Sequence, residues 1–175
     1  MGVVHRFDRP DRFVAGTVGA PGERVFFLQV REGPRVITVA LEKQQVTVLG
    51  ERIDELLDQV IADGLSTEAA MAPLGSEDTA GLDIPIEEEF RVGTITLAWD
   101  GTEDQVVVEL IGVEADDEDP DELVVIQLQP AQARAFSRRA ALVVEAGRPS
   151  CPFCGNAIDP GGHLCVRANG YRRNR

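Results

Sequence analysis

The sequence predicts an α+β fold: two fused βββα units forming a mainly antiparallel sheet with two helices, followed by a small C-terminal zinc knuckle. Three observations carry this reading. Phe13-Val14-Ala15-Gly16-Thr17 is echoed by Phe90-Arg91-Val92-Gly93-Thr94. Each copy then passes through turn-bounded, β-rich stretches into a helical period. All three cysteines fall between Cys151 and Cys165, with His163 among them. The first unit is assigned residues 1–64, an acidic Pro/Gly-rich linker 65–88, the second unit 89–147, and the knuckle with its basic tail 148–175.

In the first unit, strands are expected over Arg12–Val18, Arg24–Val30 and Arg35–Leu41, separated by Gly19-Ala20-Pro21-Gly22 and Glu32-Gly33-Pro34. A helix follows with Val46, Leu49, Ile53, Leu56, Leu57, Val60 and Ile61 at spacings of three and four, stopping at Gly64. Gly50 inside that helix costs about 1 kcal/mol relative to Ala, which points to close helix packing. In the second unit, strands are expected over Glu89–Trp99, Gln105–Val113 and Glu122–Leu128, with Asp100-Gly101 as the first turn. Its helix opens at Pro130, which is tolerated at the first helical position, and buries Ala133, Phe136, Ala140, Val143 and Val144. The copies continue in step, Arg52 matching Arg139 and Leu56-Leu57 matching Val143-Val144, once the acidic run Asp116–Glu122 is set aside as a long hairpin loop. The expected result is one continuous six-stranded arrangement with pseudo-twofold symmetry. Ser66–Ile86 has no sustained apolar period and reads as a mobile linker.

The chain has 175 residues, 43% of them hydrophobic and 27% charged, which suits one globular body with an appendage. No apolar run approaches the roughly 20 residues that span a bilayer, so no membrane role is expected. Met1–Asp8 lacks a cationic stretch followed by an apolar one, and cytoplasmic residence is the expectation. The net charge is −13, yet from Ala131 onward eight arginines face only Glu145 and Asp159. Such polarity can orient a partner or let the tail lie on its own acidic body. A monomer is slightly favoured, because fused units supply internally the symmetry a homodimer would provide.

Cys151-Pro152-Phe153-Cys154-Gly155 is a Cys-x-x-Cys turn, in which two thiolates can reach one tetrahedral ion and the following glycine frees the backbone to turn toward the sulfurs. Pro160-Gly161-Gly162 reverses the chain and returns His163 and Cys165. Cys151, Cys154, His163 and Cys165 together make a Cys3His set that saturates zinc, hence a structural site. A water, Asp159 or another chain is the alternative to His163 as fourth ligand, and a redox pair or two incidental thiols is the alternative for Cys151 and Cys154. His5 reads as an ordinary strand residue.

The two Phe-x-x-Gly-Thr motifs, with the ending Cys151-Pro152-x-Cys154-Gly155 through Gly162-His163-x-Cys165-x-Arg167-Ala168-Asn169-Gly170-Tyr171-Arg172-Arg173, resemble a family of conserved actinobacterial proteins described as a repeat protein or domain of unknown function. The resemblance covers nearly the whole chain. Val166 departs from the proline expected after Cys165. The resemblance implies an actinobacterial cytosolic protein, sometimes encoded near mycothiol biosynthesis, and brings no activity.

Three functions are compatible with this sequence. The first is a non-catalytic binding or scaffold protein whose knuckle fixes a tail that contacts a protein partner through Arg167, Asn169, Tyr171, Arg172 and Arg173, residue types common at interface hot spots. The second is an enzyme acting on an anionic or thiol metabolite in a cleft between the units, with arginines as clamps. No phosphate loop, nucleophile elbow or zincin motif is present for it, and Glu87-Glu88-Glu89 reads as a solvated run. The third is nucleic-acid binding through the basic tail, which the acidic body and an aromatic content of 5% oppose.

Overall fold

The structure is a computed structural model that describes residues 2–20, 22–71, 78–113, 122–146, 151–156, 158, 162, 164 and 165. In chain order it contains β1 (Val3–Phe7), β2 (Arg12–Val18), β3 (Val25–Glu32), β4 (Arg35–Leu41), α1 (Lys43–Ala62), α2 (Thr67–Met71), β5 (Glu88–Asp100), β6 (Gln105–Gly112), β7 (Glu122–Leu128) and α3 (Pro130–Glu145). The fold is α+β, with a mostly antiparallel sheet of seven strands in the order β1-β7-β6-β5-β4-β3-β2.

Hairpins β2-β3-β4 and β5-β6-β7 are antiparallel, whereas β4 pairs with β5, and β1 with β7, in parallel. Gly33 takes φ +59° in the tight turn between β3 and β4, a conformation that glycine adopts at no steric cost. The Asp100 carboxylate closes the next turn by accepting from the backbone N–H groups of Thr102 and Glu103.

The sheet cannot be flat. β1 and β2 are its opposite edges, yet only residues 8–11 join them. That link reaches about 18 Å at full extension, whereas seven strands side by side measure about 29 Å across. The sheet therefore curls until its edges approach, and the Arg35 guanidinium of β4 stacks 4.0 Å from the centre of the Phe7 ring of β1. Phe13, Leu28, Val30, Ile37 and Val39 from one half face Leu110 and Val124 from the other around a shared interior.

α1 and α3 pack on this body and on each other. Phe136 stacks on Phe13 at 4.5 Å, fixing α3 over β2. Gly50 lies in the α1–α3 contact, but a Cβ there would meet the Ala140 Cβ at an ordinary 3.5 Å, so the packing does not require glycine; its carbonyl lies 2.9 Å from the Ser137 hydroxyl. Arg134 of α3 donates to Asp54 and Asp58 of α1 at 2.8 and 2.5 Å. Gln45 accepts from the Glu42 N–H, closing the first turn of α1, and donates to the Val92 carbonyl of β5. Leu56 is only partly buried and Ile61 is exposed, so the apolar stripe of α1 is narrower than its sequence spacing suggests.

Three features differ from the sequence expectation. β1 is a seventh strand, formed because β7 offers it an edge. α2 is a third helix, where the Ser66 hydroxyl accepts from the Ala69 N–H. The connector is not a mobile linker over residues 78–83. Arg12 grips the Asp78 carboxylate with two bonds of 2.6 and 3.0 Å and also donates to the Ala80 carbonyl. Gln29 accepts from the Asp83 N–H and donates to its carbonyl, and Arg31 holds the Asp83 carboxylate at 2.9 Å. Arg139 adds a bond to the Asp78 carbonyl. Among the described residues, no helix is long and apolar enough to cross a membrane.

Candidate metal centre

The loop that carries Cys151 and Cys154 is held by its backbone. The Cys151 N–H donates to the Asn156 carbonyl at 2.8 Å and the Gly155 N–H to the Cys151 carbonyl at 2.9 Å, closing a tight loop over residues 151–156. Gly155 takes φ +76°, open only to glycine without strain, which lets the chain reverse after the second sulfur. Gly162 also takes a positive φ, +90°.

One sulfur from each of Cys151, Cys154 and Cys165 lies within 4.8 Å of the others, and the Cys151 and Cys165 sulfurs are 3.8 Å apart. Cys151 and Cys165 are buried and Cys154 is half-buried. A disulfide would place its sulfurs about 2.05 Å apart, so these three cysteines are not joined by disulfides. The amides of Cys154 and then Phe153, pointing at the Cys151 sulfur, bring its thiol down to about 7, toward the thiolate that metals bind. At Cys154 the Asn156 amide pulls down, but burial and the neighbouring Cys151 and Cys165 sulfurs outweigh it and the thiol is raised. Three soft donors in this spacing can bind a metal ion.

The structure thus brings together three of the four residues expected to ligate. His163 lies outside the described residues, as do Asp159 and the tail residues Arg167, Asn169, Tyr171, Arg172 and Arg173. Two knuckle features were not singled out from the sequence. Phe153 and Leu164, each next to a cysteine, are 62% and 84% exposed. Their position beside metal-type cysteines was the available signal, since knuckle loops too small to bury an apolar side chain must present it outward.

A second feature lies on the body. A groove of about 480 Å³ runs between α1 and β5, walled by Val48, Leu49, Ile95 and Leu97 and edged by Gln45 and Arg52. It joins the first half of the chain to the second.

Residues 5–165 match a family model described as "Protein of unknown function (DUF3090)", and the chain belongs to that family. No curated protein and no solved structure matches it.

Proposed function

We propose that the protein is a non-catalytic, cytosolic, zinc-containing binding or scaffold protein, whose knuckle presents a contact surface to a protein partner. The observation that carries this reading is the sulfur geometry. Two thiolates bound to zinc at about 2.3 Å in a tetrahedron lie about 3.8 Å apart, which is the Cys151–Cys165 separation. Cys151, Cys154 and Cys165 supply three ligands and His163 the fourth, a closed set whose role is to fold the knuckle. Exposed Phe153 and Leu164 supply the apolar centre of the surface, with Arg167, Asn169, Tyr171, Arg172 and Arg173 as its polar and aromatic part. The duplicated βββα organisation is supported by the shared order of β2-β3-β4-α1 and β5-β6-β7-α3 and by the matching parallel pairs β4·β5 and β7·β1.

The test is affinity capture from nuclease-treated native lysate, comparing the intact chain with a Phe153→Ser, Leu164→Ser variant and with a Tyr171→Ala, Arg172→Ala, Arg173→Ala variant. A protein recovered with the intact chain and lost with either variant is the expected result. Equal recovery with all three removes the knuckle and tail as the contact surface. A second reading, an enzyme for an anionic metabolite, is favoured by the groove between α1 and β5, where Arg52 stands at the edge of an apolar cleft joining the two halves.

A further inference from the structure

A second group of ligand-type side chains lies far from the cysteines in sequence. One donor atom from each of His5, Glu89 and Glu122 falls within 4.8 Å of the other two. The three arrive on three different strands, β1, β5 and β7, and no element of local sequence joins them.

The sheet register explains the convergence. β1 and β7 run parallel with Val3 opposite Glu122, His5 opposite Val124 and Phe7 opposite Ile126. Alternation then puts Val3, His5 and Phe7 on the same face as Glu122, Val124 and Ile126. Phe7, Val124 and Ile126 are fully buried, so this is the core face, and burial falls from Phe7 through half-buried His5 to exposed Val3. His5 and Glu122 therefore stand at the rim of the curled sheet, directed to its interior side, where Glu89 reaches them from β5.

The polar atoms are unsatisfied. His5 Nε2 and Glu122 Oε2 are both buried without a hydrogen-bond partner. Native proteins rarely leave such atoms unpaired, and a bound ion or ordered water is one of the standard partners that satisfies them. A plain imidazolium–carboxylate pair would satisfy both atoms by a direct bond, and none forms between them.

We infer that His5, Glu89 and Glu122 form a second metal site, for a divalent first-row cation of the Mn²⁺ or Fe²⁺ type. One imidazole nitrogen and two carboxylates are the borderline-to-hard donor set those ions accept, and the two carboxylates neutralise the charge. A thiol-rich site selects differently, so the two centres load different metals. Three protein donors leave coordination positions for water or an anionic ligand, unlike the closed knuckle.

The test uses the full chain, stripped with chelator, loaded with one equivalent of zinc and titrated with Mn²⁺ while free Mn²⁺ is followed by electron paramagnetic resonance. The wild type is expected to bind one Mn²⁺ per chain, and Glu89→Gln and Glu122→Gln each to weaken that binding by more than the roughly 10- to 100-fold that loss of an outer-shell partner costs. His5→Gln is expected to do the same, and Cys154→Ser to leave Mn²⁺ binding unchanged. Circular dichroism melts confirm that each variant remains folded, and Glu89→Gln, at an exposed position, is the variant least able to disturb the core. Absence of Mn²⁺ binding, or binding that survives both glutamate substitutions and so belongs to scattered surface acids, overturns the inference. Because the knuckle is scored separately by its zinc, neither outcome depends on the scaffold reading.

Discussion

Replacing Asp78 with alanine tests whether the connector is held by the body. Arg12 is only 7% exposed, and Asp78 gives it two of its bonds, with the Ala80 carbonyl and the more distant Asp83 carboxylate as the remaining partners. Breaking a fully buried pair by removing one member costs about 3–5 kcal/mol, because the other charge is left uncompensated. Asp78 is itself 36% exposed, so water recovers part of that loss. Asp78→Ala is therefore expected to cost about 2 kcal/mol, a fall of about 1 M in the urea midpoint for a slope near 2 kcal/mol/M. Arg12→Met is expected to cost less, since it removes the buried charge and leaves Asp78 with Arg139 and solvent. The Asp83 amide, bonded to Gln29 at 2.7 Å, reports the same event by hydrogen exchange and is expected to lose protection in Asp78→Ala. A midpoint within about 0.2 M of wild type and an unchanged Asp83 amide would refute the docking argument.

The hydrogen bond from Arg12 holds the Asp78 carboxyl below its usual range, with the Arg12 and Arg139 charges adding to it against burial. Its stabilisation is complete above the unfolded value of about 3.9 and is lost as pH falls through the lower folded value. The stability gap between wild type and Asp78→Asn, measured by urea unfolding, is therefore expected to be constant from pH 7 to 5 and to close toward pH 2. At Gly50, alanine should stabilise by up to about 1 kcal/mol through helix propensity, since its Cβ meets Ala140 at an ordinary 3.5 Å. Leucine there should destabilise by about 1–3 kcal/mol by overpacking the α1–α3 contact, and thermal melts of the pair separate these signs. Ser137→Ala should cost about 1 kcal/mol, because its hydroxyl lies 2.9 Å from the Gly50 carbonyl and 2.6 Å from Asp54, and urea unfolding reads the loss.

What the sequence made legible was local. Arg12–Val18 and Arg35–Leu41 were placed closely because turn signals flank their apolar positions, and α1 and α3 declared themselves by period and by Pro130. The cysteine cluster was legible for the same reason: a Cys-x-x-Cys turn and a third cysteine fall within fifteen residues. What escaped was set by distant partners. His5 was read as a strand residue, but Val3–Phe7 was not counted among the strands of the sheet, because its place there is set by the β7 edge. Asp78–Asp83 looked solvated because the arginines and glutamine that order it lie on β2, β3 and α3. His5 and Glu89 looked ordinary because the curl of the sheet, which no short window encodes, is what places them beside Glu122.

The measurement that bears most directly on the proposed metal site of Cys151, Cys154 and Cys165 is cobalt substitution of the reduced, full-length chain, followed by sulfur-to-cobalt charge-transfer absorption. Only a thiolate-ligated ion gives that signal, so the His5 group does not contribute. The account predicts saturation at one cobalt per chain, displacement by one equivalent of zinc, and loss of the band in Cys154→Ser. No charge-transfer band with all three thiols reduced, or a band that persists unchanged in Cys154→Ser, would contradict it.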